Sequence, residues 1–178
     1  LGRWLWLPSL WRRTRWEEVL VDLITIDFET FYSKEFSLGK LTTEEYIRDP
    51  RFEVIGIGIK LNNQETEWAS GTHEELKQYL QTFDWEKSMV LAHNTMFDGA
   101  ILNWIFDINP RVYTDTLCIS RGFHGVENSS SLKALAERYD IGAKGTEVIQ
   151  AIGKNRKDFT QSELEQYGDY CINDVNLT

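Results

Sequence analysis

The feature that most constrains this chain is the run Ile24-Thr25-Ile26-Asp27-Phe28-Glu29-Thr30, in which two carboxylates stand one residue apart at the end of an apolar strand. On a strand, side chains alternate between faces, so residues i and i+2 project from the same side about 7 Å apart along the chain. The apolar alternates ask for a core on one face, and the two like charges repel on the other unless something positive sits between them. Hard divalent cations prefer such oxygen ligands, and Mg²⁺ commonly takes one or two protein carboxylates per ion. Strand ends also carry acids as solvated caps, and Asp-x-Glu alone does not separate the two readings.

The rest of the chain supplies a core for such a strand. With 178 residues, 42% hydrophobic and 26% charged, it suits one compact domain, and only 3 Pro and 12 Gly indicate no long disordered tract. The net charge of −9 is not the footprint of broad duplex binding, which relies on Lys and Arg neutralising phosphates. If the chain handles nucleic acid at all, contact must then be local, metal-mediated or helped by another domain. Cys118 and Cys171 lie far apart with no Cys-x-x-Cys, which argues against a zinc site or a disulfide framework and fits a reducing cytosol. No apolar run reaches 18 residues, so no membrane span is expected.

Residues 1–20 differ in character from residues 21–178. They hold four of the seven tryptophans (Trp4, Trp6, Trp11, Trp16) and four arginines against two glutamates. Pro8 interrupts any interfacial anchor, and no clean apolar segment of a signal peptide is present. The segment reads as a non-native or disordered extension, with residues 21–178 as the domain and a last helix cut short at Thr178.

Hydrophobic spacing gives the elements. Strands are expected at 21–28, 52–61, 64–68, 88–92 and 111–113. In the second, Ile55, Ile57, Ile59 and Leu61 share one face, while Gly56 and Gly58 on the other let something pack closely. Helices are expected at 42–48, from Thr72 (Leu76, Tyr79, Leu80, Phe83 as its stripe), after residue 94 (Phe97, Ile101, Trp104, Ile105), at 116–121, at 132–139 (Leu132, Leu135, Ala136, Tyr139) and from Ser162. The last is announced by a Thr160/Glu163 capping box and a Phe159/Leu164 staple. This order implies an α/β domain with a mixed sheet flanked by helices.

Two further motifs carry chemistry. His93-Asn94-Thr95-Met96-Phe97-Asp98 lies where a strand gives way to a helix, placing Asp98 in the first turn, where the helix dipole tolerates a carboxylate. His93 reads as a packed, hydrogen-bonded residue. Asn94 can touch a substrate or cap the helix. On the last helix, Tyr170 and Asp174 are i and i+4 on the shoulder of a buried stripe formed by Leu164, Tyr167, Cys171 and Val175, with Asp169 solvated.

Taken together and in this order, Asp27-x-Glu29, His93-Asn94-x-x-Phe97-Asp98 and Tyr170-x-x-x-Asp174 resemble the DEDD superfamily of 3′–5′ exonucleases, in its tyrosine-bearing subgroup. Asp27-Phe28-Glu29-Thr30, the stretch from Thr43 to Val54, and Tyr170-Cys171-Ile172-Asn173-Asp174-Val175 are similar to the proofreading domains of bacteriophage DNA polymerases related to DNA polymerase I (family A). The likeness spans about residues 22–178. It implies a ribonuclease-H-like fold, a mixed five-stranded sheet with helices on both faces, and removal of nucleoside 5′-monophosphates from DNA 3′ ends. It implies two divalent cations, Mg²⁺ with Mn²⁺ able to substitute, held by Asp27, Glu29, Asp98 and Asp174, and a water oriented by Tyr170. Two ions about 3.5–4 Å apart suit such a hydrolysis.

The resemblance further implies that Thr30, through its backbone, and Asn94 touch the terminal nucleotide, with single-stranded or frayed DNA ends as partner and a polymerase domain beyond this chain. Phe28, Phe31 and Phe97 are near enough to stack on bases, core packing being the alternative for at least two. The implied location is the cytoplasm of a bacterial host. The rival readings are an RNA-trimming exonuclease of the same superfamily, a catalytically idle nucleic-acid-binding module, and an acidic metal-binding structural domain.

Overall fold

A computed structural model describes residues 21–143 and 151–178. The expected extension at 1–20 lies outside the described residues. Five strands, β1 (Asp22–Thr30), β2 (Val54–Leu61), β3 (Glu67–Ala69), β4 (Ser88–Ala92) and β5 (Val112–Asp115), form one sheet in the order β3-β2-β1-β4-β5. β1 pairs antiparallel with β2 and parallel with β4; β2–β3 is antiparallel and β4–β5 parallel. This is the mixed sheet of a ribonuclease-H-like α/β fold. The helices are α1 (Thr43–Arg48), α2 (His73–Leu80), α3 (Thr95–Phe106), α4 (Thr116–His124), α5 (Leu132–Tyr139) and α6 (Gln161–Leu177).

β1 sits at the centre and sorts its residues by parity. Ile24, Ile26 and Phe28 enter the main core with Tyr46 and Ile47 of α1, Leu76 and Leu80 of α2, and Ile101, Leu102 and Phe106 of α3. Thr25, Asp27 and Glu29 take the opposite face, which α6 covers. Helices thus flank both faces of the sheet. At about 25 cal/mol per Å² of apolar surface removed from water, the isoleucine-rich face is the main driving force for this arrangement.

Three expectations about the core are corrected. Ile55 does not share a face with Ile57 and Ile59. The register passes from Glu29↔Gly56 to Thr30↔Val54, so Ile55 is an extra residue in β2. This bulge flips parity and sends Ile55 to a second cluster with Ala151, Phe159 and Tyr167, while Ser70 Oγ donates to its carbonyl at 2.6 Å. Trp104, expected on the core face of α3, is 40% exposed, with the Arg48 guanidinium 4.5 Å from its ring centroid. Tyr139 is also exposed, its hydroxyl 2.6 Å from His124 Nε2.

Boundaries shift as well. β3 is shorter than expected, β5 runs on to Asp115, α4 runs on to His124, and α2 ends before Phe83, which still packs on the core. Both Thr72/Glu75 and Thr160/Glu163 close capping boxes at the starts of α2 and α6. Among the described residues no helix is long and apolar enough to cross a membrane.

Candidate active site

The sheet register places a glycine beside each acid of β1: Asp27 is opposite Gly58, and Glu29 is opposite Gly56. β2 therefore offers bare backbone where a side chain would otherwise shield the carboxylates, and α6 fills that space at Gly58 while Trp68 of β3 fills it at Gly56. A Cβ at Gly58 would stand 2.9 Å from Cys171 Sγ. The sequence expectation that the two glycines admit a close neighbour is met: at Gly58 the neighbour is α6, the helix that carries Tyr170 and Asp174, and at Gly56 it is the Trp68 indole of β3. Asp27 and Glu29 are half-buried, and one carboxylate oxygen from each lies within 4.8 Å of the other and of Cys171 Sγ.

Asp98 reaches the same place from the other face. Parallel pairing of β1 with β4 ends at Thr25↔Leu91, and β4 itself stops at Ala92. The Phe28 amide, beyond the reach of a strand partner, donates instead to Asp98 Oδ1 at 3.0 Å. Burial pushes the Asp98 carboxyl well above the usual carboxylate range, the negative charge of Asp27 pushes it further, and the Phe28 amide only partly offsets them. A buried acid beside other carboxylates is a donor set that a hard cation fits: positive charge there relieves both the repulsion and the desolvation. The chemistry of the site therefore suits divalent metal.

On α6, Asp174 is 5% exposed, deeper than the shoulder position expected, one turn beyond Cys171. Tyr170 is half-buried against the Ile55, Phe159 and Tyr167 cluster, and Asp169 is exposed as expected. Thr30 turns its hydroxyl to Tyr46 Oη at 2.9 Å, so any outward contact falls to its backbone. Phe28 stacks on Phe106, and Phe31 and Phe97 also pack against the core.

Asn94 does not cap α3 through its side chain. Its backbone is left-handed (φ 74°, ψ 52°), and its amide donates to Asp115 Oδ1 at 3.0 Å. Asp115 also receives the Leu117 amide at 2.9 Å, thereby capping α4. Thr95 Oγ1 donates to the Thr114 carbonyl at 2.6 Å, and His93 Nδ1 lies 2.9 Å from Thr116 Oγ1. The start of α3 is thus clasped to the end of β5, and His93 is a packed, hydrogen-bonded residue.

Sequence reasoning missed three participants. Asp115 ends a strand ahead of a helix, the same signal that picked out Asp98, but the strand was expected to stop at 113. Tyr167 and Cys171 read only as core. Burial and the Glu29 carboxylate, which accepts a hydrogen bond from it, raise the Tyr167 phenol; burial and Asp27 raise the Cys171 thiol. The pairing of small residues, glycine on β2 with cysteine on α6, was the available signal for the latter.

Comparison with known proteins agrees with this fold. A family profile described as 3′-5′ exonuclease matches residues 42–178, which includes Asp98, Tyr170 and Asp174 but begins after β1. No curated protein matches in sequence. Among solved structures, Brucella melitensis NrnC superposes with a TM-score of 0.60 at 14% identity, over 90% of this chain and 72% of that one. Trypanosoma brucei RNase D in complex with RNA U12 gives 0.61 at 11% identity, over 87% and 52%. The family B DNA polymerase of Pyrobaculum calidifontis gives 0.58 at 15%, over 89% and only 23% of that longer chain. At such identities these likenesses speak for the fold, and the profile speaks for the family. The chain belongs to the 3′-5′ exonuclease family of the DEDD superfamily.

Proposed function

We propose that this domain hydrolyses the terminal phosphodiester at the 3′ ends of single-stranded or frayed DNA, releasing nucleoside 5′-monophosphates, as the proofreading part of a DNA polymerase of the bacteriophage, family A type. The observation that carries the reading is the convergence of Asp27, Glu29 and the buried Asp98 on one short stretch of β1. Asp27, Glu29, Asp98 and Asp174 would hold two divalent cations, Mg²⁺ or in its place Mn²⁺. When bound, such ions neutralise phosphate charge and acidify a water. Tyr170, through its hydroxyl, orients that water for in-line attack; its half-buried ring fixes where the hydroxyl stands. Asn94 and the Thr30 backbone contact the terminal nucleotide. A polymerase domain elsewhere in the protein, in the cytoplasm of a bacterial host, completes the picture.

RNA trimming is the second reading, and a specific observation favours it: NrnC has been seen with bound Mg²⁺ and with pGG, and RNase D with RNA U12. Labelled single-stranded DNA and RNA of one sequence, incubated in parallel with Mg²⁺ and with chelator, decide between them. The expected result is a metal-dependent ladder from the 3′ end, faster on DNA. Faster loss of RNA installs the second reading, and no cleavage of either leaves a binding module.

A further inference from the structure

Three residues from three elements meet where β1 faces α6. Asp27 lies opposite Gly58 in the sheet register, and a Cβ on Gly58 would stand 2.9 Å from Cys171 Sγ and 2.9 Å from Val175 Cγ2. α6 is therefore seated on bare backbone. The Cys171 side chain is fully buried, and its thiol donates toward the Asp27 carbonyl at 3.3 Å and toward Asp27 Oδ2 at 3.5 Å.

We infer that Cys171 is a positioning residue of the exonuclease centre, its thiol holding the Asp27 carboxylate toward Glu29 so that the two acids are arranged for a cation before one binds. The inference rests on the reading of Asp27 as a metal ligand. Left to themselves, two neighbouring carboxylates rotate apart to lower their repulsion, and a cation must then pull them back together. A donor fixed to one oxygen removes that reorganisation, as groups supporting a ligand do at metal sites generally. A thiol is a weak donor, and the Asp27 carbonyl at 3.3 Å competes with Oδ2 for its one proton, but both acceptors belong to Asp27, so either bond holds the same residue in place beside Gly58. The competing account is that Cys171 is a small hydrophobe filling the gap over Gly58.

The two accounts rank Cys171→Ala and Cys171→Ser in opposite orders. A packing role favours Ala, because a side chain that only fills space over Gly58 gains nothing from a hydroxyl, and Ser adds the cost of taking one out of water. A positioning role favours Ser, which keeps a donor. The experiment titrates Mn²⁺ into wild type and both variants, follows the melting temperature, and measures single-turnover cleavage of one oligonucleotide.

We expect Cys171→Ala to need about tenfold more Mn²⁺ for half of the thermal shift, in the usual range for loss of a supporting contact. Its KM for the oligonucleotide should be unchanged. Cys171→Ser should keep a Mn²⁺ midpoint nearer wild type while melting lower without metal. An Ala variant with the wild-type midpoint, or a Ser variant no better than Ala, overturns the inference and leaves Cys171 as packing. A wild-type protein indifferent to Mn²⁺ overturns the metal reading itself, and the inference with it.

Discussion

At the scale of single residues, the site separates groups by how they tolerate charge. Asp98 is fully buried, with the Phe28 amide and its own as donors, whereas Asp27 and Glu29 stand half-exposed on the α6 side of the same strand. If Tyr170 orients the attacking water, Tyr170→Phe keeps the ring and its packing and removes one hydrogen bond. Loss of a single such contact commonly costs about 10²–10³-fold in rate. Single-turnover cleavage should therefore drop by roughly ten- to a thousandfold, with metal-induced stabilisation unchanged. Asp27→Ala should abolish cleavage and leave the ion-free fold as stable as before or more so, because clustered acids repel and site residues are commonly strained for function. A Tyr170→Phe variant with wild-type turnover would mean that the tyrosine only packs.

At the scale of elements, α6 matters most because it carries Tyr170, Cys171 and Asp174 together. Its start depends on Thr160 and Glu163, which close a capping box, and Glu163 also meets Lys154 at 2.6 Å. The Lys154 ammonium and the Thr160 donors hold the Glu163 carboxyl down from 4.5 to about 2. A carboxyl lowered in the folded state stabilises above its unfolded value and loses that contribution as pH falls through the folded one. The domain should therefore lose stability between pH 4.5 and about 2 through this group. Glu163→Gln should flatten that limb of a melting curve against pH. Thr160→Ala should cost about 1 kcal/mol near neutral pH, the usual loss of a cap.

Further along α6, a Cβ at Gly168 would come within 2.5 Å of the Trp68 indole, whose other side meets Gly56 equally closely. Trp68 is slotted between β2 and α6 and cannot retreat from one without entering the other. Overpacking of this kind costs about 1–3 kcal/mol, against about 1 kcal/mol of helix propensity regained by replacing glycine. Gly168→Ala should lower the melting temperature despite the better helix former.

At the scale of the whole molecule, the sheet joins two packings. One face buries Ile24, Ile26, Ile57 and Ile59 of β1 and β2 beneath α1, α2 and α3, and the other holds acids and glycines beneath α6. A cation bound between them would tie β1 to α3 and α6 at once and bind only the folded state. Its stabilisation scales as RT ln(1 + [L]/Kd). Millimolar Mn²⁺ should raise the melting temperature more than equal Mg²⁺, in line with the general affinity order for divalent ions, and chelator should reverse both shifts. A melting temperature indifferent to Mn²⁺ would favour an idle binding module.

What the sequence determined by itself was everything local or periodic. Alternation in residues 24–30 put Ile and Asp on opposite faces, the Thr160/Glu163 pair marked the start of α6, and i, i+4 spacing set Tyr170 and Asp174 on one side of a helix. It could also say that Gly56 and Gly58 would admit a close neighbour. It could not say which neighbour, because that depends on which helix covers that face of the sheet and on where the Trp68 indole of β3 comes to rest. The end of β4 at residue 92 was legible too, but only the tertiary structure decided its parallel register with β1, which ends at Thr25↔Leu91 and leaves the Phe28 amide to Asp98, and the clasp of Asp115 on the left-handed Asn94. It likewise decided that a bulge turns Ile55 away from Ile57, and that the Cys171 thiol comes to rest on Asp27. Each of these joins residues distant in the chain through register and closure of the sheet. Spacing along a sequence carries the periodicity of one element, whereas register between elements is set by the packing of all of them.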